Sequence, residues 1–263
     1  MQHEALIRLA VFLGLFAALA TAEALAPRRA RTYPRRGRWV TNWGIVLADT
    51  VLLRLFAVAM PLLAVGAAVD AGARNWGLFN HLLLPGWLEI LFAVLILDLV
   101  IWAQHLVTHK VPLLWRLHRV HHADPDLDVT TAIRFHPVEI GLSMLVKIGA
   151  VYLLGASAIA VILFEILLNG MAMFNHANVK LSPSADAALR RILVTPDMHR
   201  VHHSIHRSEH DSNYGFSLSI WDRLFGTYIA QPRAGHDAMT IGLEWQDTRP
   251  TRFIWSLLLP FKK

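Results

Sequence analysis

The chain has 263 residues, of which 55% are hydrophobic and only 17% are charged. Its mean hydropathy of +0.41 is high for a water-soluble domain. Cysteine is absent, which excludes disulfides, thiolate zinc sites, iron–sulfur clusters and thiol nucleophiles. The net charge is +6, and six arginines lie between residues 28 and 38 without a nucleic-acid-binding motif. A lipid bilayer is therefore the expected partner, and nucleic acid is not.

The first apolar segment covers residues 5–26 and is interrupted only by Arg8 and Glu23. It is long enough to cross a bilayer, which needs about 20 residues in a helix. A cleavable signal peptide is the alternative interpretation, because Ala20-Thr21-Ala22 resembles a cleavage site.

Two further spans are predicted before residue 110. Residues 42–69 are apolar apart from Asp49 and Arg54, which we expect to reach an interface or to form pairs. Residues 70–86 are rich in glycine and polar residues, which predicts a loop. The third span then runs from Trp87 towards His109.

A long apolar segment, residues 140–177, has about twice the length of one span. Gly155-Ala156-Ser157 lies near its middle and predicts a tight helical hairpin. Residues 178–248 are polar, and residues 253–261 are expected to form an interfacial helix. If the arginine-rich loop is cytoplasmic, both ends of the hairpin and the histidine clusters described next also face the cytoplasm.

Histidine is the residue type that stands out, because most of the 15 histidines fall within residues 105–122 and 199–210. His105 and His109 are four residues apart, so they share a face at the end of the third span. The sequence HRVHH occurs twice, at residues 118–122 and 199–203. In each copy the first and last histidines share a helical face, and the middle one can join from the adjoining position.

These eight imidazoles exceed what one metal ion needs, since a catalytic zinc site uses about three protein ligands. The sequence therefore predicts two metal ions. Imidazole suits iron, copper, nickel and zinc alike, so ligand type leaves the metal open. The alternative is that the histidines are solvated loop residues or belong to separate structural sites.

Five motifs resemble the fatty acid hydroxylase and sterol desaturase superfamily, in that family's order and over about residues 90–230. They are QHLVTH, WRLHRVHH, RFHPVE, TPDMHRVHHS and WDRLFGTY. The resemblance implies an all-α integral membrane protein, a single domain over residues 1–263. Its four transmembrane helices would be two spans, a third span and the helical hairpin, with a cytoplasmic helical cap that carries the histidine motifs. It also implies two iron ions, O2 as co-substrate, and an external electron donor such as a reductase, a ferredoxin or a cytochrome.

The resemblance carries eight metal ligands onto this sequence by motif position: His105, His109, His118, His121, His122, His199, His202 and His203. His176 is a candidate ninth ligand, because Glu165, Asn169 and His176 lie close to one helical face. A structural role is the alternative. His136 is a weaker candidate, because Pro137 and Glu139 after it suggest a helix start.

Several polar residues are expected to orient the imidazole N–H groups, as metal-bound histidines generally require. They are Asp98, Glu139, Glu165, Asn169 and Asp197. Salt bridges to nearby arginines are the alternative for the carboxylates. His206 and His210 extend the last cluster, and we expect both to be exposed. No catalytic residue is expected apart from the metal centre.

The predicted function is O2-dependent hydroxylation of a C–H bond in a lipid or sterol-like substrate. Desaturation within the same superfamily is the first alternative, because ligand spacing does not report the fate of the substrate radical. A histidine-rich metal transporter is a second, although its ionisable residues should lie at mid-membrane on several helices. A zinc-dependent hydrolase is a third, and the sequence lacks its HExxH motif.

Overall fold

The computed structural model describes residues 4–59 and 63–262, and over these ranges it is all-helical. Extended pairing is limited there to three isolated bridges. The longer helices are α1 (Glu4–Leu25), α2 (Arg35–Ala59), α3 (Leu63–Ala73), α4 (Gly86–Lys110), α5 (Pro112–His122), α6 (Pro137–Leu154) and α7 (Ala158–His176). The shorter ones are α8 (Pro183–Leu189), α9 (Pro196–His202), α10 (Arg207–His210), α11 (Ile220–Leu224), α12 (Gly235–Ala238) and α13 (Phe253–Leu258). The predicted all-α class is confirmed.

Within the part of the chain that the structure describes, five segments are long and apolar enough to cross a membrane, as expected of a multi-pass membrane protein. They are Leu6–Leu25, Arg35–His81, Gly86–Lys110, Pro137–Leu154 and Ala158–His176, judged by length and composition. The second runs across residues 60–62, which lie outside the described ranges. The two helices of the α6–α7 hairpin each count as one candidate segment, so the described residues contain five such segments where four were expected.

Local sequence signals explain how the hairpin forms. α6 begins with Pro137 in its first turn, where a missing N–H costs nothing, and it ends at Gly155 in the left-handed conformation. Ser157 then caps α7 by accepting a hydrogen bond from the Ala160 N–H. The turn predicted at residues 155–157 is confirmed.

The loop predicted between the second and third spans is shorter than expected. α3 continues to Ala73, and a single 3-10 turn, Leu78–His81, follows it. Gly77 in this loop approaches Gly155 so closely that a Cβ on Gly77 would lie 2.1 Å from the Gly155 nitrogen. The hairpin turn therefore lies against this loop.

Small residues let the central helices approach each other. Ala64, Ala67 and Ala68 on α3 are buried in one cluster with Ala93 on α4 and Ala160 on α7. Small side chains at helix interfaces bring backbones close together, which is how helices pack in a solvent of lipid chains. The long helices thus form one bundle that holds the end of α4 beside the end of α7.

We expect Gly77→Ala to destabilise the protein by more than about 2 kcal/mol. Gly77 has a φ of 90°, which disfavours any side chain, and the added Cβ would collide with the backbone of the hairpin turn. The thermal unfolding midpoint in detergent measures the effect. Gly86→Ala is the matched control, because a Cβ there meets nothing within 4 Å. Equal midpoints for the two variants would contradict the close packing of the hairpin turn.

Candidate metal centre

Four helix ends bring the clustered histidines to one place. His105 and His109 lie in the last turns of α4, and His176 is the last residue of α7. The first HRVHH copy forms the end of α5, and the second occupies α9 and the residue after it. α4 packs against α5 and α7 packs against α9, so the four histidine-bearing segments converge.

The histidines form two buried groups. Within each group, the candidate ligand atoms lie within 4.8 Å of one another. The five-histidine group consists of His105, His109, His118, His122 and His202. The four-histidine group consists of His121, His176, His199 and His203. The two groups adjoin, since the rings of His122 and His203 stack with centroids 4.5 Å apart.

The HRVHH copies divide their histidines between the groups in opposite ways. The first copy gives His118 and His122 to the five-histidine group and His121 to the other. The second gives His199 and His203 to the four-histidine group and sends its middle histidine, His202, across. Adjacent residues on a helix point about 100° apart, so one helix end aimed between two sites supplies ligands to both.

The nitrogen spacing fits metal coordination. The distance between Nε2 atoms is 3.1 Å for His105 and His118 and 3.1 Å for His122 and His202. In the other group, the Nε2 of His176 lies 3.0–3.2 Å from those of its three companions. Two nitrogens about 2.1 Å from one ion, at right angles, would lie ~3 Å apart. The donor atoms therefore stand where ligands of two ions would stand.

Hydrogen bonds at the opposite ring nitrogens show which lone pairs face inward. The Nδ1 atoms of His105, His176 and His202 donate to the carbonyl oxygens of residues 214, 172 and 212, at 2.7, 2.7 and 2.6 Å. A carbonyl only accepts, so the Nε2 of each of these rings carries a lone pair. The lone pair on the His176 Nε2 faces three other Nε2 atoms, and one lone pair accepts only one N–H. Cations in the two groups would relieve this crowding.

Burial keeps five of the clustered imidazoles neutral. Desolvation, followed by the neighbouring imidazoles, lowers the pKa values well below their ordinary range for the histidines outside the candidate spans: His121, His122, His199, His202 and His203. At neutral pH these rings therefore keep the lone pair that a metal ion needs.

The two less certain histidines differ in position. His176 lies within the four-histidine group. His136 lies outside both groups: its Nδ1 accepts from the Val138 N–H and caps α6, and its Nε2 lies 3.2 Å from the Leu257 carbonyl oxygen. The helix start predicted from Pro137 is thus present, and His136 is the residue that caps it.

Of the polar residues expected to orient imidazoles, Glu139 contacts a clustered histidine, with Oε1 2.6 Å from the His118 Nδ1. Asp98 instead accepts from the indole of Trp221 and the backbone of Leu218. Glu165 pairs with Arg8 and Lys147.

Asp197 pairs with Arg28 and Arg200, which is the salt-bridge alternative. Asn169 lines the wall of a cavity described below.

Other groups near the histidines were not anticipated from the sequence. Asp211 lies 3.5 Å from the Nδ1 of His109. Phe135 stacks on His121 with ring centroids 4.3 Å apart, and Trp115 stacks on His210 at 5.1 Å. His210 is therefore half-buried rather than exposed, whereas His206 is exposed as expected. The carbonyl contacts could not be predicted from the sequence, because every residue supplies a carbonyl.

A model of the family described as fatty acid hydroxylase matches residues 90–227, which is more than half of the chain. The chain belongs to the fatty acid hydroxylase family. This match contains all nine clustered histidines. The resemblance drawn from the motifs is confirmed.

Characterised relatives of this fatty acid hydroxylase chain act on lipids, by their names. The ornithine lipid hydroxylase OlsE of Rhizobium tropici is 30% identical over 149 residues, which are 57% of this chain and 44% of the relative. The alkylglycerol monooxygenase of Danio rerio is 32% identical over 187 residues, 69% of this chain and 39% of the relative. The human cholesterol 25-hydroxylase is 26% identical over 142 residues, 53% and 50% of the two chains. The chain thus spans half or less of each relative's length. No solved structure matches.

A buried ion-pair network supports the loop after the first HRVHH copy in this family member. The Arg38 guanidinium donates to Asp124 at 2.6 and 2.9 Å, to Asp128 at 2.6 Å, and to the Asp126 carbonyl. Asp124 follows His122 after a single residue. All three charged side chains are at most 1% exposed, so the network fixes the point where α5 leaves the site.

We expect His176→Ala to weaken the binding of one of two metal ions more than about tenfold, because it removes a nitrogen at the centre of the four-histidine group. His136→Ala should leave both ions bound. The measurement is metal content per chain after dialysis against a graded series of chelator concentrations. Equal metal loss from both variants would contradict the assignment of His176 to a metal group.

We expect Arg38→Met to destabilise the protein by about 3–5 kcal/mol, because it leaves two buried carboxylates without their counter-charge. Arg36→Met is the matched control, since Arg36 is exposed. Thermal unfolding in detergent and metal content measure the outcome. A midpoint for Arg38→Met equal to that of the control would show that the network does not stabilise the fold.

Proposed function

We propose that this protein is a membrane-bound di-iron oxygenase that hydroxylates a C–H bond of a lipid. The observation that carries the proposal is the pair of adjoining imidazole groups, one of which borders a cavity among the candidate membrane spans. The sequence match to the fatty acid hydroxylase family supports it independently. The names of the three relatives, two hydroxylases and a monooxygenase, favour hydroxylation over desaturation.

The all-imidazole donor set suits iron, copper, nickel or zinc, and the need for a redox-active metal removes zinc. Bound iron would supply the redox chemistry that reduces O2 and breaks an unactivated C–H bond. The balance requires one O2, two electrons and two protons for each hydroxyl formed, with water as the second product. The electrons would come from an external donor, a reductase, a ferredoxin or a cytochrome.

The residues of this chain would hold the metal ions, position the substrate and exclude water from the site. Nine histidines would hold the ions, and carbonyl groups and Glu139 orient four of the rings, those of His105, His118, His176 and His202. A cavity of about 270 Å³ reaches His105 and His118, and apolar side chains such as Phe135 and Phe216 line it there. A substrate carbon placed in this cavity would lie beside the five-histidine group, shielded from bulk water.

The proposed topology has three single spans and the α6–α7 hairpin, with a helical cap on the histidine side. The arginine-rich loop lies at that side, because Arg38 contacts the loop after α5. Cytoplasmic loops carry an excess of basic residues, so we propose that the metal centre faces the cytoplasm.

We expect the iron-loaded protein, given lipids, an electron donor and ¹⁸O2, to form a lipid hydroxyl that carries the heavy isotope. His121→Ala should abolish this product, because it removes a nitrogen of the four-histidine group. His206→Ala should not, because His206 is exposed and lies outside both groups. Mass spectrometry of the lipid product measures the label. An unlabelled alkene would show desaturation, and product formation without O2 would overturn the proposal.

A further inference from the structure

The cavity beside the five-histidine group has an unexpectedly polar wall. It lies among α2, α4, α6 and α7, and its lining includes Asp49, Glu139, Lys147 and Asn169. Lys147 is already paired with Glu165, at 2.8 Å, so its charge is balanced within the bundle. Among the described residues, no lysine or arginine pairs with the other two carboxylates, Asp49 and Glu139, and Glu139 contacts the His118 ring instead.

Two buried carboxylate oxygens in this wall lack donors. Asp49 is 8% exposed and Glu139 is 6% exposed. Among the described residues, Asp49 Oδ1 and Glu139 Oε2 have no hydrogen-bond partner, although Glu139 Oε1 contacts His118. The side-chain oxygen of Gln104, in the same wall, also lacks a donor. A buried acceptor without a donor is costly, so a ligand that brings donors would relieve this cost.

A second, apolar groove shows where the rest of such a ligand would lie. It has a volume of about 520 Å³ and shares Gln104, Thr108, Glu139 and Ser143 with the cavity. Val107, Leu142 and Val146 line it and are more than two-fifths exposed, as expected of side chains that face lipid. A hydrocarbon chain in this groove would place its polar end at Asp49 and Glu139.

We propose that the substrate is a lipid with a hydroxyl or ammonium head group that donates hydrogen bonds to Asp49 and Glu139. This inference rests on the proposed function and specifies its substrate class. His105 and His118 line the same small cavity, so the attacked C–H bond lies within a few bonds of the head group. A mid-chain methylene of a plain hydrocarbon would leave both carboxylates unsatisfied.

Binding of three probes with the same chain tests the inference: hexadecane, 1-hexadecanol and hexadecylamine. Binding is measured on the metal-loaded protein without O2, from the rise in thermal unfolding midpoint with probe concentration. The alcohol or the amine should bind at least about tenfold more tightly than the alkane. Equal binding of all three probes would overturn the inference.

Two variants of one residue distinguish the head groups. Asp49→Leu should abolish the preference over the alkane and should retain the metal ions, because the native Asp49 Oδ1 has no partner to lose. Asp49→Asn keeps an acceptor oxygen but removes the charge, so it should spare an alcohol preference and abolish an amine preference. Asp70→Asn is the matched control, since Asp70 lies on α3 outside the cavity. A preference that survives Asp49→Leu, or metal loss in that variant, would overturn the inference.

The position of the new hydroxyl separates this inference from the proposed function. With ¹⁸O2 and an electron donor, the label should enter within a few carbons of the head group. Hydroxylation without any head-group preference would overturn the inference and leave the proposed function intact. Head-group-dependent binding without any O2-dependent turnover would support the inference and contradict the proposed function.

Discussion

The structure depends on nine buried imidazoles that crowd into two adjoining groups inside the protein. Packing ring nitrogens at 3.0–3.2 Å is unfavourable without cations between them, because the Nε2 atoms of His105, His176 and His202 are acceptors and the His176 Nε2 faces three other Nε2 atoms. Metal binding would therefore be coupled to folding, and the energy of binding would stabilise the segments that carry the histidines. The apolar bundle positions α4 and α7, and the metal ions would join them to α5 and α9.

The surrounding polar groups follow from this constraint. Metal-bound imidazoles usually have a partner at the outer nitrogen, and a carbonyl oxygen or Glu139 provides one for four rings, those of His105, His118, His176 and His202. The Nδ1 atoms of His121, His122, His199 and His203 have no such partner among the described residues. The arginine-rich loop takes part in the same support, since Arg28 pairs with Asp197 and Arg38 with Asp124 and Asp128. The positive charge that the sequence suggested for a membrane surface is thus used in part in ion pairs with Asp124, Asp128 and Asp197.

Helical periodicity predicts much of the fold and the shared faces within the histidine motifs, whereas the set of eight ligands came from the resemblance to the family. The hairpin turn at Gly155, the shared face of His105 and His109, and the pairing within each HRVHH copy all follow from local rules. The exchange of the middle histidines between groups does not, because it depends on where the ends of α5 and α9 point relative to each other. His136 shows the same limit: a capping histidine and a ligand look alike in sequence, and its place outside both histidine groups depends on tertiary packing.

The interpretation of Asp49 differs between the sequence and the structure. In sequence it is a lone carboxylate in an apolar segment, for which an interface or a cationic partner is the economical explanation. In the structure, α2 places it on the wall of a cavity that ends at His105 and His118, and its Oδ1 has no partner among the described residues. An apolar side chain there would fit the bundle at lower cost. The carboxylate is therefore best explained by a ligand that enters the cavity, so that one small space holds both the reacting carbon and the group that recognises the lipid.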